Sequence, residues 1–179
     1  MDYFEALVTT LLEHEGYWVR QSFKVNLTKV EKRSVGKPSI PRPEVDIVAF
    51  KPVTGVVLAQ EVKSYLDSAG VRLEALKEQH DEPEGRYKLF TSATYREAVL
   101  GRLKSDLEAA GMIQQGTTVR LGLVAGNVYQ NKAEEIRSFL SAKGWFFWSP
   151  DDIKSRLKAM AEAGYENDPS VIAAKILER

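Results

Sequence analysis

The chain has 179 residues, enough to bury a core, and its 44% hydrophobic and 28% charged content is ordinary for a globular domain. Lys plus Arg and Asp plus Glu both number 25, so net charge points to no class of partner and any electrostatic footprint must be local. Cysteine is absent, which removes disulfides, thiolate metal sites and cysteine nucleophiles, and His14 and His80 are too few for a histidine-built zinc site unless carboxylates complete it.

The opening residues lack the basic and apolar regions of a signal peptide, and no apolar run approaches the roughly 20 residues of a membrane span. The expectation is a cytoplasmic protein with no membrane partner. Phe4, Leu7, Val8, Leu11 and Leu12 recur at helical spacing and predict a first helix over residues 3–15, stopped by Gly16. Glu5 lies beside that stripe in the first turn, where a carboxylate suits the helix dipole. Residues 17–25 alternate as a strand.

Between Arg20 and Arg42 the composition turns basic. Arg20, Lys24, Lys29, Lys32, Arg33, Lys37 and Arg42 are opposed only by Glu31, and Gly36, Pro38, Pro41 and Pro43 interrupt regular structure. Much of this stretch reads as a long exposed loop or ribbon, either functional or merely solvated. Residues 45–50 and 56–63 then predict two apolar strands joined by a Pro/Gly turn over 51–55. Period 2 places Glu61 and Lys63 on one face and Val62 on the other. A helix carrying Val71, Leu73 and Leu76 follows, and residues 87–91 read as a strand, giving the order α-β-β-β-α-β.

The second half alternates helix and strand. Thr94 with Glu97 predicts a capping box ahead of Val99, Leu103 and Leu107, and residues 119–124 predict a strand ending at Gly126-Asn127. Asn131 with Glu134 predicts a cap for the helix bearing Ile136, Phe139 and Leu140. Residues 145–148 read as a short strand, Ser149-Pro150 as a helix start, and Asp168-Pro169 as the start of a last helix to about Glu178. The fold class expected is α/β, with a core over residues 1–92 and an α/β extension over 93–179 packed on it in the same domain.

The chemistry concentrates on the predicted hairpin. If Asp46 and Glu61 face each other about 4 Å apart, their carboxylates repel by roughly 4 kcal/mol at an effective dielectric near 20. A shared proton, the Lys63 ammonium or a divalent metal would relieve this. Oxygen-only donors suit Mg2+ or Mn2+, which keep waters and leave positions for phosphate oxygens.

Glu5 in a first helix, Asp46 at a strand start and Glu61-Val62-Lys63 on the next strand resemble the PD-(D/E)xK nuclease superfamily. The α-β-β-β-α-β order is similar to its restriction-endonuclease-like core. Phe4-Glu5-Ala6-Leu7-Val8, Leu11-Leu12 and Gly16-Tyr17 resemble the opening of archaeal Holliday-junction resolvases and Mrr-type restriction endonucleases. The resemblance implies a metal-dependent DNA endonuclease of repair, recombination or restriction. It implies Mg2+ (or Mn2+) bound or positioned by Glu5, Asp46, Glu61 and the Val62 carbonyl, with Lys63 serving catalysis. Gln60 and Ser64 flank the motif and would touch the strand or a phosphate. The likeness covers about the first half of the chain. Pro43 stands three residues before Asp46, with Glu44 between, and the segment after residue 92 matches no resolvase pattern.

Around this centre, Lys29, Lys32, Arg33 and Lys37 are the expected nucleic-acid contacts, supplying sequence-independent phosphate binding. Tyr65 would stack on a base or pack on the core. Residues 145–148 are expected to be a strand with one core face rather than a stacking platform, and His14 structural or exposed. A double cut would need a homodimer, since one such site cuts one strand. Two other readings stand beside the nuclease: a catalytically inactive nucleic-acid-binding or assembly module that keeps these charges, and a small-molecule protein using the Gly126-Asn127 region.

Overall fold

Asp2 opens the first helix, α1 (Tyr3–His14), its Oδ1 accepting from the amides of Phe4 at 2.8 Å and Glu5 at 3.3 Å. The computed structural model describes residues 2–164 and 167–177. After α1 the chain runs through β1 (Trp18–Lys24), α2 (Lys29–Ser34), β2 (Glu44–Lys51) and β3 (Val56–Lys63), then α3 (Leu73–Lys77), α4 (Lys88–Thr91) and α5 (Ala93–Ala109). It continues through β4 (Thr118–Ala125), α6 (Ala133–Ala142), β5 (Phe146–Trp148), α7 (Pro150–Glu162) and α8 (Pro169–Leu177).

The five strands form one mixed sheet in the order β1-β2-β3-β4-β5. The first three are an antiparallel meander, and β4 and β5 run parallel to β3. Parallel neighbours need crossovers. The chain from α3 to α5 connects β3 to β4, and α6 connects β4 to β5. Strands from both halves of the chain therefore share a single sheet. On one face, Val57, Ala59, Leu121 and Leu123 are buried with Leu76, Phe90, Val99, Leu103 and Ile136. On the other, Ile47, Ala49, Val62 and Val124 are buried with Val8, Leu11 and Leu12 of α1 and Met160 of α7. Each of the Val, Leu, Ile, Phe and Met side chains contributes about 1.5–3 kcal/mol on leaving water. Gly122 has no substitute at its position, because a Cβ there would collide with the Phe146 ring of the next strand.

Several expectations are corrected. Residues 87–91 are not a strand: the amides of Phe90 and Thr91 donate to the Tyr87 carbonyl at 2.7 and 2.9 Å, closing the turn that becomes α4. Arg96 then holds the Leu89 and Phe90 carbonyls, both at 3.2 Å. The strand after the crossover is β4. The basic stretch is also less irregular than its prolines suggest. Thr28 and Glu31 form a capping box for α2, and Glu31 receives the Arg102 guanidinium on two oxygens at 2.8–3.2 Å. Ser92 rather than Thr94 caps α5, its hydroxyl accepting from the Tyr95 amide at 3.4 Å. Asn131 lies in a 3-10 turn with φ 57°, and α6 begins after Lys132 without a side-chain cap. The caps at Ser149 and Asp168 are as expected, and β5 packs in the core, but on both faces rather than one, with Phe147 buried on the α5 side and Trp148 on the α1 side. Glu178 lies outside the described residues. Among the described residues no helix is long and apolar enough to cross a membrane.

Candidate active site

The site arises where the ladder between β2 and β3 stops. The last paired step is Ile47 with Gln60, whereas β3 stays paired with β4 as far as Lys63 with Ala125. One step beyond the ladder, Asp46 faces Glu61. The Val62 amide, on the β2 side of its strand, donates to Asp46 Oδ2 at 2.7 Å. In extended backbone the carbonyl of a residue points to the same side as its amide. The Val62 carbonyl therefore looks into the gap as well.

Lys63 Nζ stands 3.1 Å from Glu61 Oε2 and 3.4 Å from Asp46 Oδ2. The side chains of Asp46, Glu61 and Lys63 are only 18%, 12% and 18% exposed, so the charges interact with little solvent screening. They form the floor of an open cleft of about 540 Å3 that Glu5 also lines, carried there by the first turn of α1.

One ammonium does not balance these carboxylates. Burial, reinforced by Asp46, Asp2 and Glu44, pushes the Glu5 carboxyl from 4.5 up to about 7. Burial also raises Glu61, with Asp46 adding to it and Lys63 opposing it. For Lys63, burial disfavours the charge, but Glu61 and Asp46 outweigh it and push the amine up to about 12. Lys63 is therefore a firmly protonated cation near neutral pH. It can donate hydrogen bonds to water or to a phosphate oxygen.

Among the described residues no group of three or more His, Asp or Glu side chains converges on a metal position. Glu5 does not close such a cluster. The donors that do meet are two carboxylates and a main-chain carbonyl, all hard oxygen, at a place carrying surplus negative charge. This set fits Mg2+, which binds through one or two carboxylates and retains waters.

The other expected site residues divide. Tyr65 and Ser64 line the cleft. Lys29, Lys32 and Arg33 lie on α2, outside the cleft lining, and the Lys37 ammonium donates to the Pro83 carbonyl at 2.6 Å. Gln60 points to the opposite face from Glu61, fully buried, with neither amide atom hydrogen-bonded. Asn127 Nδ2 donates to the carbonyls of Tyr65 at 3.3 Å and Ser68 at 2.8 Å, and a Cβ at Gly126 would strike the Ser64 carbonyl. The Gly126-Asn127 corner thus clamps the loop that follows Lys63. His14 is in the last turn of α1.

Three cations of the cleft escaped the sequence reading: Arg42, Arg86 and Lys88. Arg42 was signalled by its place just before the first carboxylate. Arg86 and Lys88 carry no sequence signal, since only the fold returns them to the hairpin.

No protein-family model matches this chain, and neither a curated protein nor a solved structure does.

Proposed function

We propose that the protein is a Mg2+-dependent phosphodiesterase, a DNA endonuclease of the PD-(D/E)xK type built on a restriction-endonuclease-like core. The reading rests on one observation: Asp46 and Glu61 both lie within 3.4 Å of the Lys63 ammonium on the floor of an open cleft, where β2 and β3 part. The strand order supports it. A helix, an antiparallel meander, a helical crossover and a parallel strand are the parts that this core requires.

Asp46, Glu61 and the Val62 carbonyl are the groups that would hold the cation. Bound there, Mg2+ would neutralise charge building on the phosphodiester and lower the pKa of a water. The chain's own residues do the rest. The Lys63 ammonium, fixed between two carboxylates, donates to a non-bridging oxygen as negative charge grows on it. Glu5, with its pKa near 7, is matched to accept a proton from the attacking water at neutral pH. The water oxygen bonds to phosphorus as the bond to the leaving oxygen breaks, and that oxygen takes a proton from solvent water in the open cleft.

The test is cleavage of supercoiled and branched DNA with Mg2+. Nicking is expected for the wild type and is lost in Asp46→Asn, in Lys63→Ala and in EDTA. Cleavage that persists in both variants and in EDTA removes the mechanism.

A further inference from the structure

Beside the acidic floor the cleft carries an aromatic–guanidinium pair that the hydrolytic chemistry does not use. Tyr65 comes two residues after Lys63. Its backbone is held in the left-handed region at φ 46°, where a bulky residue persists only if its surroundings impose it. They do. Its carbonyl accepts from the Ser68 amide at 3.1 Å and from Asn127 Nδ2 at 3.3 Å, and its half-buried ring packs on the core while lining the cleft.

The Arg86 guanidinium stands over this ring, 6.0 Å from its centroid, with Nη1 3.5 Å from the phenol oxygen. Arg86 is exposed and follows Gly85, whose φ is 70°. A planar base inserted between ring and guanidinium needs two stacking spacings of about 3.4 Å each. The guanidinium now sits toward the phenol edge of the ring, donating to its oxygen, so a base would enter as that 3.5 Å contact opens and the exposed arginine, beside Gly85, swings over the ring face.

The charges around the pair are lopsided. Residues 85–88 bring Arg86 and Lys88 to the cleft and no acid, whereas the start of α1 and the approach to β2 bring Asp2 and Glu44 with a single cation, Arg42. A duplex presents phosphates on two strands and hides both faces of its interior bases. An unpaired strand presents one line of phosphates and bases whose faces are free.

From this we propose that the cleft takes an unpaired DNA strand, with one base sandwiched between Tyr65 and Arg86 and adjoining phosphates held by Arg86 and Lys88. The proposal rests on the nuclease reading for its substrate class, and it concerns recognition rather than the cut. Tyr65 and Arg86 are positioning residues: they fix which phosphate reaches the carboxylates.

The experiment is binding in EDTA, where no cleavage occurs. Single-stranded oligonucleotides carrying 2-aminopurine at successive positions are compared with the duplex of the same sequence. The wild type is expected to bind the single strand at least tenfold more tightly and to quench 2-aminopurine at one position. Tyr65→Ala loses roughly tenfold or more in affinity together with the quench, and Tyr65→Phe keeps both. Because Tyr65 packs on the core, Arg86→Ala is the second variant. It loses the quench with the fold intact, and its log-affinity against log-salt slope shrinks by about 0.7. Equal affinity for duplex and single strand, or no position-specific quench, overturns the proposal. The two readings fail separately. Quenched single-strand binding without hydrolysis in Mg2+ sinks the nuclease and leaves this site standing, whereas hydrolysis of duplex with no preference for a single strand does the reverse.

Discussion

The carboxylates of the cleft and the carboxylate at the β5–α7 junction meet their cations at similar distances, with Lys63 3.1 Å from Glu61 and Arg137 2.8 Å from Asp152. Their acidities move in opposite directions. Burial would raise Asp152, but the Arg137 guanidinium and the Ser149 amide and hydroxyl outweigh it and hold the group below its usual 3.8. Those donors lie at 2.8, 2.7 and 2.8 Å and all meet on Oδ2, so this one oxygen collects three donors. In the cleft, burial raises Glu5 and Glu61, neighbouring carboxylates add to it, and the ammonium groups of Lys63 and Lys88 do not outweigh the two. Proximity of an ion pair thus says little by itself. The ratio of donors to negative charge separates a structural knot from a site left wanting a cation.

The largest effect that tests this contrast is on turnover. Asp46→Asn is expected to cut hydrolysis by about a thousandfold or more, on the scale of removing a central electrostatic group from an active site. Its urea midpoint should move little, since an asparagine oxygen can still accept from the Val62 amide. Asp152→Ala should do the opposite. It loses the capping box of α7 and the contact with Arg137, costs about 1–2 kcal/mol in urea unfolding, and leaves turnover within about twofold. If Asp152→Ala abolished activity at unchanged stability, the division between knot and site would fail.

Added metal gives the next effect in size. Mg2+ at ten times its dissociation constant should stabilise the wild type by about 1.4 kcal/mol, read as an upward shift in melting temperature. The shift should persist in Asp152→Ala and vanish in Asp46→Asn. A shift of equal size in Asp46→Asn would place the cation elsewhere on the molecule.

This contrast was half legible in the sequence. The hairpin declared itself, because strands of alternating apolar residues that carry Asp46, Glu61 and Lys63 have one simple register. The Ser149 cap declared itself too, through Pro150 at the first helical position. Tyr87 to Thr91 misled, since five residues without a turn signal fit a strand or a helical turn equally, and tertiary bonds to Arg96 decide between them. The α2 helix had a readable signal in Thr28 and Glu31, obscured by the basic residues and prolines around it. Of the basic residues before the motif only Arg42 lines the cleft, with Lys29, Lys32 and Arg33 on α2 and Lys37 bonded to Pro83, while Arg86 and Lys88 reached it from far along the chain. Charge composition is local along the chain, whereas a cleft is assembled from segments that only the sheet brings together.

The smallest effect is also the most direct reading of the surplus charge. A carboxyl whose folded pKa lies above its ordinary value binds its proton more tightly in the folded state. For Glu5, raised from 4.5 to about 7, stability is therefore fullest below about pH 4.5 and falls as pH rises toward 7. Glu61, raised for the same reason, adds to that decline. Asp152 is depressed, so its contribution is present above its usual 3.8 and is lost as pH falls below it. Urea unfolding from pH 3 to 8 without divalent cations should give a curve with two limbs of opposite slope. Glu5→Gln should flatten the limb between about 4.5 and 7 and leave the acid limb alone, and Asp152→Ala should flatten only the acid limb. If the Glu5→Gln curve superimposed on the wild type above pH 4.5, Glu5 would be an ordinary solvated carboxylate. The negative surplus would then belong to Asp46 and Glu61 alone, and Glu5 would lose its claim to the proton-accepting role.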